Sequence, residues 1–196
     1  MKRPTLFVFA KPARRGRAKT RLARGIGEAA ALAFQRACLA ETLRKLARGP
    51  WRLVCCVTPD ASARARRLWP TRATLLPQGR GDLGARMARA LARRRGPAAI
   101  VGSDIPDLAP AHVREAFARL GGADFVFGPS RDGGYWLVGA RAGTLARGAF
   151  RRVRWSSEHA LADSAAGLRR VAFAATLDDV DDKDGYEEWL RRSPSA

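Results

Sequence analysis

Six cations crowd one short stretch of this chain: Lys11, Arg14, Arg15, Arg17, Lys19 and Arg21 follow directly on the apolar run Thr5 to Ala10 (TLFVFA). Main-chain N–H groups around Gly16 and at the start of a following helix can point at an anion, and Lys and Arg add full charges. A strand that empties into such a loop is built to hold phosphate. The Walker A loop is excluded, because it needs Gly directly before its Lys and another Gly five residues earlier, where this chain has Ala18 and Ala13. The plainer alternative is a solvated basic surface. Lys occurs only at 2, 11, 19, 45 and 183, so two of a scarce residue fall where a compact point charge suits a phosphate.

Two acidic stretches could supply a counterpart. Ile100 to Leu108 (IVGSDIPDL) reads as a buried strand ending in Asp104, with Pro106 turning the chain at once. A hard cation, Mg²⁺ or Mn²⁺, wants such a carboxylate with room left for water and phosphate oxygens. Asp104 or Asp107 could instead cap the helix that starts near Pro110, and for Asp107 that is the stronger reading. Asp178 to Asp184 (DDVDDKD) holds five carboxylates in a strongly basic chain. Asp182 and Asp184 fit as charges that offset a helix macrodipole. Asp179 and Asp181 alternate on an extended segment, which puts both on one side, where they could meet Asp104 and complete a metal site.

Two glycine-marked loops complete the candidates. Gln78 to Met87 (QGRGDLGARM) runs into a helix with Asp82 as its N-cap, and Gly81 and Gly84 would let the backbone approach a flat base or ribose. Pro129 to Trp136 (PSRDGGYW) is either a hairpin turn on its Asp-Gly pair or part of a site. His112 and His159 lack ligand or triad partners and read as structural.

These loops need a sheet to carry them. Strand-like runs lie at Thr5–Ala10, Arg52–Thr58, Ala73–Leu76, Ala98–Gly102, Asp124–Gly128, Tyr135–Ala140 and Arg170–Ala174. Helix-period segments lie between most of them: Glu28–Leu46, with Ala29, Leu32, Ala33, Ala37, Leu39, Leu43 and Leu46 as its apolar stripe, then Ala61–Leu68, Leu83–Arg94, Ala111–Leu120, Glu158–Gly167 and Lys183–Arg191. The alternation through residue 120 predicts right-handed βαβ crossovers and a mostly parallel sheet covered on both faces. After it, two strands joined only by the 129–134 loop predict an inserted or antiparallel pair at one end. Open α/β sheets bind ligands at the carboxyl ends of their strands, so chemistry is expected in the loops beginning at Lys11, Pro77, Ser103, Pro129 and Leu177.

At 196 residues and 46% apolar content the chain fits one domain, residues 1–196, with a substantial core. A formal charge of +19 raises a polyanion such as nucleic acid as a partner. Against it stand the acidic cluster at 178–184, the absence of a nucleic-acid motif, and the spread of Arg through Ala-rich helices, as a coding bias would leave it. Cys38, Cys55 and Cys56 give neither a disulfide set nor a metal spacing and read as core thiols in a reducing compartment. The short apolar run before Lys11 fits neither a secretory signal nor a membrane span, so a cytoplasmic protein is expected.

With the loops in order, the chain resembles the nucleotide-diphospho-sugar transferase superfamily. The resemblance is carried by KPARRGRAKTRLA at 11–23, GDLGARM at 81–87, GSDIPDL at 102–108, SRDGGYWLVG at 130–139, VRWSSE at 153–158 and DDVDDKDGY at 178–186. It is similar above all to small bacterial glycosyltransferase-like proteins, and more distantly to 2-phospho-L-lactate guanylyltransferase and molybdenum cofactor guanylyltransferase. The resemblance implies the glycosyltransferase A-type fold, a three-layer α/β/α sandwich on a mostly parallel, Rossmann-like sheet. It also implies that Lys11, Lys19 and Arg21 contact nucleotide phosphates, together with Gly16 in the same loop, and that the segment holding Gly81, Asp82 and Gly84 flanks the nucleoside. Asp104 stands for the metal-binding aspartate, with Asp181, or failing it Asp179, as its distal partner. Asp132, Gly133, Gly134, Tyr135, Trp155 and Ser156 would line the acceptor side.

The expectation is a Mg²⁺- or Mn²⁺-dependent transferase working at a nucleotide pyrophosphate, with Lys19 and Asp104 catalytic. A nucleoside triphosphate or a nucleotide sugar would be the donor and a small molecule the acceptor. Gly102-Ser103-Asp104 in place of an Asp-x-Asp triplet, and a Lys-Thr-Arg-Leu first loop similar to the guanylyltransferases, both tilt the expectation toward nucleotidyl transfer. Sugar transfer from a nucleotide-sugar donor is the alternative, followed by a noncatalytic nucleotide or nucleic-acid binder. Base, acceptor and oligomeric state are not legible.

Overall fold

The structure, a computed structural model, describes residues 2–14, 19–94, 96–141 and 150–192. Gly16, with Arg15 and Arg17, lies outside the described residues. Among the described residues seven strands form one sheet: β1 (Thr5–Ala10), β2 (Arg52–Val57), β3 (Thr74–Pro77), β4 (Ala98–Val101), β5 (Phe125–Pro129), β6 (Tyr135–Ala140) and β7 (Val171–Phe173). Their order is β3-β2-β1-β4-β6-β5-β7. The first four pair in parallel, as helical crossovers demand, and β7 pairs in parallel with β5. Only β6 runs against its neighbours. The predicted antiparallel pair is present, but β6 stands inside the sheet between β4 and β5, and the edge belongs to β7.

Among the described residues six α-helices accompany the strands: α1 (Thr20–Ile26), α2 (Glu28–Leu46), α3 (Leu83–Ala92), α4 (Pro110–Arg119), α5 (Ala160–Ala165) and α6 (Lys183–Arg192). One face of the sheet packs Leu6, Val8 and Leu137 against Leu39, Leu43 and Leu46 of α2 and Val113 and Ala116 of α4. The other packs Phe7, Cys56 and Phe127 against Met87 and Leu91 of α3 and Ala160 of α5. This is the expected three-layer sandwich. Cys55 and Cys56 fall in opposite layers, as period-2 alternation requires.

Three local expectations are corrected. Residues 61–68 form short 3-10 turns, Asp60–Arg64 and Arg66–Leu68, not an α-helix. Pro59 and Pro70 bound too short a span for a stable α-helix, and Trp69 anchors it by donating Nε1–H to the Ser62 carbonyl at 2.9 Å. On α2, Ala29, Ala33 and Ala37 are exposed, whereas Ala31, Leu32, Phe34, Cys38, Leu39, Thr42, Leu43 and Leu46 are buried. Alanine adds little to a moment, so the large residues set which way the helix turns. Asp107 caps nothing; Ala109 is the N-cap of α4, and Asp107 pairs with Arg192 at 3.3 Å.

A third, smaller cluster positions the site. Leu22 of α1, Phe34 and Cys38 of α2, and Val180 are buried together, with Tyr186 and Trp189 of α6 packed against them. The Phe34 ring meets Tyr186 and Trp189 edge-on at 5.2 and 5.3 Å between centroids. Gly27, at φ +86°, turns the chain between α1 and α2, a conformation that suits glycine. The cluster therefore locks α1 and α6 side by side. Lys19 immediately precedes α1, and Asp179 and Asp181 flank the buried Val180 just before α6.

Candidate active site

Lys19, Asp104 and Asp181, separated widely in sequence, meet at the carboxyl end of the sheet. Lys19 Nζ lies 3.0 Å from Asp104 Oδ2 and 2.6 Å from Asp181 Oδ1, and donates to the Val180 carbonyl at 2.6 Å. The Val180 N–H in turn donates to the Asp104 carbonyl at 3.3 Å, so the acidic segment is stitched to the strand end by its own backbone. Val180 faces the core and leaves Asp179 and Asp181 on the other side, as their alternation predicts. One carboxylate oxygen from each of Asp104, Asp179 and Asp181 falls within 4.8 Å of the others.

The electrostatics follow from that crowding. Burial alone would depress the Lys19 ammonium, whose side chain is 11% exposed, but the carboxylates of Asp104 and Asp181 outweigh it and raise its pKa above the ordinary lysine value. Burial, and then the charges of Asp181 and Asp104, push the Asp179 carboxyl up to about 7. Cys38 lies close by, but burial, reinforced by Asp104, pushes its thiol up to about 12, which leaves it protonated and inert. Three clustered hard oxygen donors of this kind fit Mg²⁺ or Mn²⁺.

Two cavities meet at this point. The larger, about 640 Å³, is lined by Lys11, Lys19, Thr58, Gln78, Arg86 and Asp181, among others. The smaller, about 230 Å³, is lined by Asp132, Gly134, Tyr135, Trp155, Ser156 and Asp179, among others. Phe9, Leu83 and Asp104 line both. Beyond the larger cavity a third space of about 290 Å³ is lined by Lys11, Arg14 and Thr58.

The remaining expected residues sort by these walls. Arg21 is exposed on α1 and lines none of the three cavities. Asp82 caps α3 as expected, accepting from the Ala85 N–H at 2.8 Å. Gly81 and Gly84 line neither main cavity; a Cβ on Gly84 would come 2.6 Å from the Phe150 carbonyl oxygen and 2.9 Å from Trp155 Cζ2. That close approach serves packing of the chain on itself, and not a ligand. The 129–136 loop is both turn and wall. Gly133, at φ +81°, would put a Cβ 2.1 Å from the Glu158 carbonyl oxygen, and its own carbonyl accepts from Leu161 N–H at 2.9 Å. Glycine there lets the segment that carries Trp155 and Ser156 lie on the turn. Tyr135 Oη is 3.1 Å from Ser164 Oγ, so its hydroxyl is engaged inside the wall.

Sequence reasoning missed Phe9 and Thr58, and reached Leu83 and Arg86 only as part of the 81–87 segment. Thr58 follows β2 and obeys the same strand-end rule that found the other loops; the loop after β2 was left out. Leu83 is 43% exposed and stands on the first turn of α3 where the two cavities meet.

Known structures share this architecture. A protein from Desulfovibrio desulfuricans G20, named provisionally as a nucleotide-diphospho-sugar transferase, is 27% identical, with a TM-score of 0.92 over 100% of this chain and 90% of its own. CMP:2-keto-3-deoxy-manno-octonic acid synthetase, solved with CTP, is 9% identical, with a TM-score of 0.61 over 98% of this chain and 99% of its own. Glucosyl-3-phosphoglycerate synthase from Mycobacterium tuberculosis, solved with Mn²⁺, UDP and phosphoglyceric acid, is 13% identical, with a TM-score of 0.53 over 97% of this chain and 75% of its own. The last two share the fold alone. No curated protein matches the chain in sequence. No helix among the described residues is long and apolar enough to cross a membrane. Residues 39–157, more than half of the chain and including the strand end with Asp104 and the 129–136 loop, match the family described as uncharacterized protein conserved in bacteria, DUF2064, and the chain, folded as a nucleotide-diphospho-sugar transferase, belongs to that family.

Proposed function

We propose that the chain is a divalent-metal-dependent transferase acting at a nucleotide pyrophosphate, with residues 1–196 as one nucleotide-diphospho-sugar transferase-like domain. The observation that carries this is Asp104, which lines a cation-walled cavity on one side and an acceptor-sized one on the other. A nucleoside triphosphate sits in the larger cavity, its phosphates toward Lys11 and Lys19. Asp104, Asp181 and, with them, Asp179 would hold Mg²⁺ or Mn²⁺, which when bound would supply positive charge to offset the negative charge developing on the leaving pyrophosphate. An acceptor oxygen attacks the α-phosphorus in line, the bond from the α-phosphorus to the bridging oxygen breaks, pyrophosphate leaves, and a hydroxyl acceptor gives its proton to solvent. Lys19 holds Asp104 and Asp181 together and adds a fixed charge at the cavity edge, the kind of preorganised group that stabilises developing negative charge.

Sugar transfer from a nucleotide-sugar donor is the second reading, favoured by the aromatic lining of the smaller cavity. There the bond broken lies at the anomeric carbon, and a nucleoside diphosphate departs. Incubation with each NTP and each nucleotide sugar in Mg²⁺ or Mn²⁺, together with a panel of hydroxyl and phosphate acceptors, tests both. Pyrophosphate release supports nucleotidyl transfer, nucleoside diphosphate release supports sugar transfer, and neither product with any donor rules out both.

A further inference from the structure

The smaller cavity contradicts the chain's overall charge. Of 196 residues 37 are Lys or Arg, yet among the described residues lining this cavity none is Lys, Arg or His, and three are aspartates: Asp104, Asp132 and Asp179. Three cations near its walls are committed elsewhere. Arg131 pairs with Asp178 at 3.1 Å and Glu188 at 3.3 Å. Arg154 is bound to Asp163, Nη2 and Nε each at 2.9 Å. Lys19 opens on the other cavity, tied to Asp104 and Asp181.

The rest of the lining is aromatic and apolar, with Phe9, Met87, Tyr135, Trp136 and Trp155. At about 230 Å³ the cavity lies below the range of about 300–1,000 Å³ usual for drug-sized ligands, so it suits one ring or a few carbons. Aromatic faces carry negative charge density and attract the C–H face of such a ring. Asp132 Oδ1 accepts from the Gly134 N–H at 2.9 Å, and Oδ2 takes no hydrogen bond among the described residues, which leaves an acceptor for a ligand hydroxyl. Asp104 and Asp179 are the carboxylates that would hold the metal in the reading above, so the free charge on this wall is Asp132, and a phosphate group beside it would meet that carboxylate with no Lys, Arg or His in the described lining to answer it, a juxtaposition that binding sites use to reject wrong partners.

We infer that this cavity takes an uncharged hydroxyl compound about one ring in size, a monosaccharide or cyclic polyol, and discriminates against its phosphate ester. Taking that occupant to be the acceptor rests on the transferase reading above; the selectivity of the cavity does not. Asp132 positions the hydroxyl.

The test uses the full chain in metal-free buffer, where no Mg²⁺ answers the phosphate, and saturation-transfer difference NMR against monosaccharides, myo-inositol and glycerol, each beside its monophosphate ester. At least one parent compound should bind, and its ester should bind at least about tenfold more weakly. Asp132→Asn should narrow that gap and Asp132→Lys should invert it, with circular dichroism confirming that each variant is folded. Trp155→Ala, which leaves the charge alone, should weaken the parent. An ester that binds as well as its parent, no binding by any uncharged compound, or a preference unmoved in folded Asp132 variants overturns the inference. Calorimetry of the same protein with NTPs and nucleotide sugars in Mg²⁺ keeps the two readings apart. Nucleotide that fails to bind sinks the transferase, while the NMR still decides the cavity.

Discussion

Lys19 Nζ stands 3.0 Å from Asp104 Oδ2, so the cation of the first loop already occupies one side of the carboxylate proposed to hold the metal. The ammonium serves as counter-ion to Asp104 and Asp181 and as one wall of the larger cavity. Lys19→Ala removes both. Loss of a focused charge at a departing oxygen should lower kcat about 10²–10³-fold, and release of the two carboxylates should lower Tm in metal-free buffer. Added Mg²⁺ should restore more Tm to Lys19→Ala than to the parent, measured by differential scanning calorimetry. Equal restoration in both would mean that the lysine and the metal do not share the carboxylates.

Asp104→Asn should abolish Mg²⁺-dependent nucleotide binding and leave the fold intact, because the side chain is 37% exposed and its size is unchanged. Isothermal titration of NTP with and without Mg²⁺ reads this directly. A metal-dependent increment that survives would place the ion elsewhere.

Lys11 is exposed, and no ion pair involving it is found among the described residues, yet it lines the larger cavity. Lys11→Ala should therefore weaken triphosphate binding by about 1.5–3 kcal/mol, the range for a hydrogen bond to a charged group. Thermal stability should stay within about 0.5 kcal/mol of the parent. A stability loss without an affinity loss would assign Lys11 to the scaffold.

The Asp179 carboxyl titrates at about 7 when folded, against a carboxylate value of 3.8. A folded pKa raised this way makes the folded state bind more protons, so this group's share of stability is full below about 4 and is lost as pH rises toward 7. Metal-free Tm should carry that decline. Asp179→Asn should flatten it, and Mg²⁺ should stabilise the parent more at pH 7.5 than at pH 5. A parent and variant with superimposable Tm–pH curves would remove Asp179 from the cluster.

Gly133→Ala should destabilise the protein by about 2–4 kcal/mol, because a Cβ at φ +81° would be strained and would meet the Glu158 carbonyl oxygen at 2.1 Å. Urea unfolding measures the loss. Binding in the smaller cavity should weaken with it, since Trp155 and Ser156 ride on the displaced segment.

The large periodic signals carried most of the fold. β1, β6 and α2 end where their apolar runs end, and the strand-end rule led to Lys11, Asp104, Asp132 and Asp181. Legibility failed where several residues share a decision. Ala29, Ala33 and Ala37 match the helical period as well as the buried positions do, and only packing against the sheet selects Phe34 and Cys38. Arg21 and Lys19 lie two residues apart in the same cation run, but α1 begins at Thr20 and turns Arg21 outward. The place of β6 between β4 and β5 depends on pairing across the whole sheet. Gly84 announced a close approach without saying to what, since Phe150 and Trp155 are distant in sequence.

Lys19 makes its closest contacts with Val180 and Asp181, 161 and 162 residues further along the chain. A growing polypeptide can complete β1 to β4 and wrap α2 and α3 over them while the proposed metal site still lacks its second half. Until the aromatic pair of α6 docks on Phe34, the lysine has no carboxylate from the acidic segment to rest against, and that site in the newborn chain is short of two of its three aspartates.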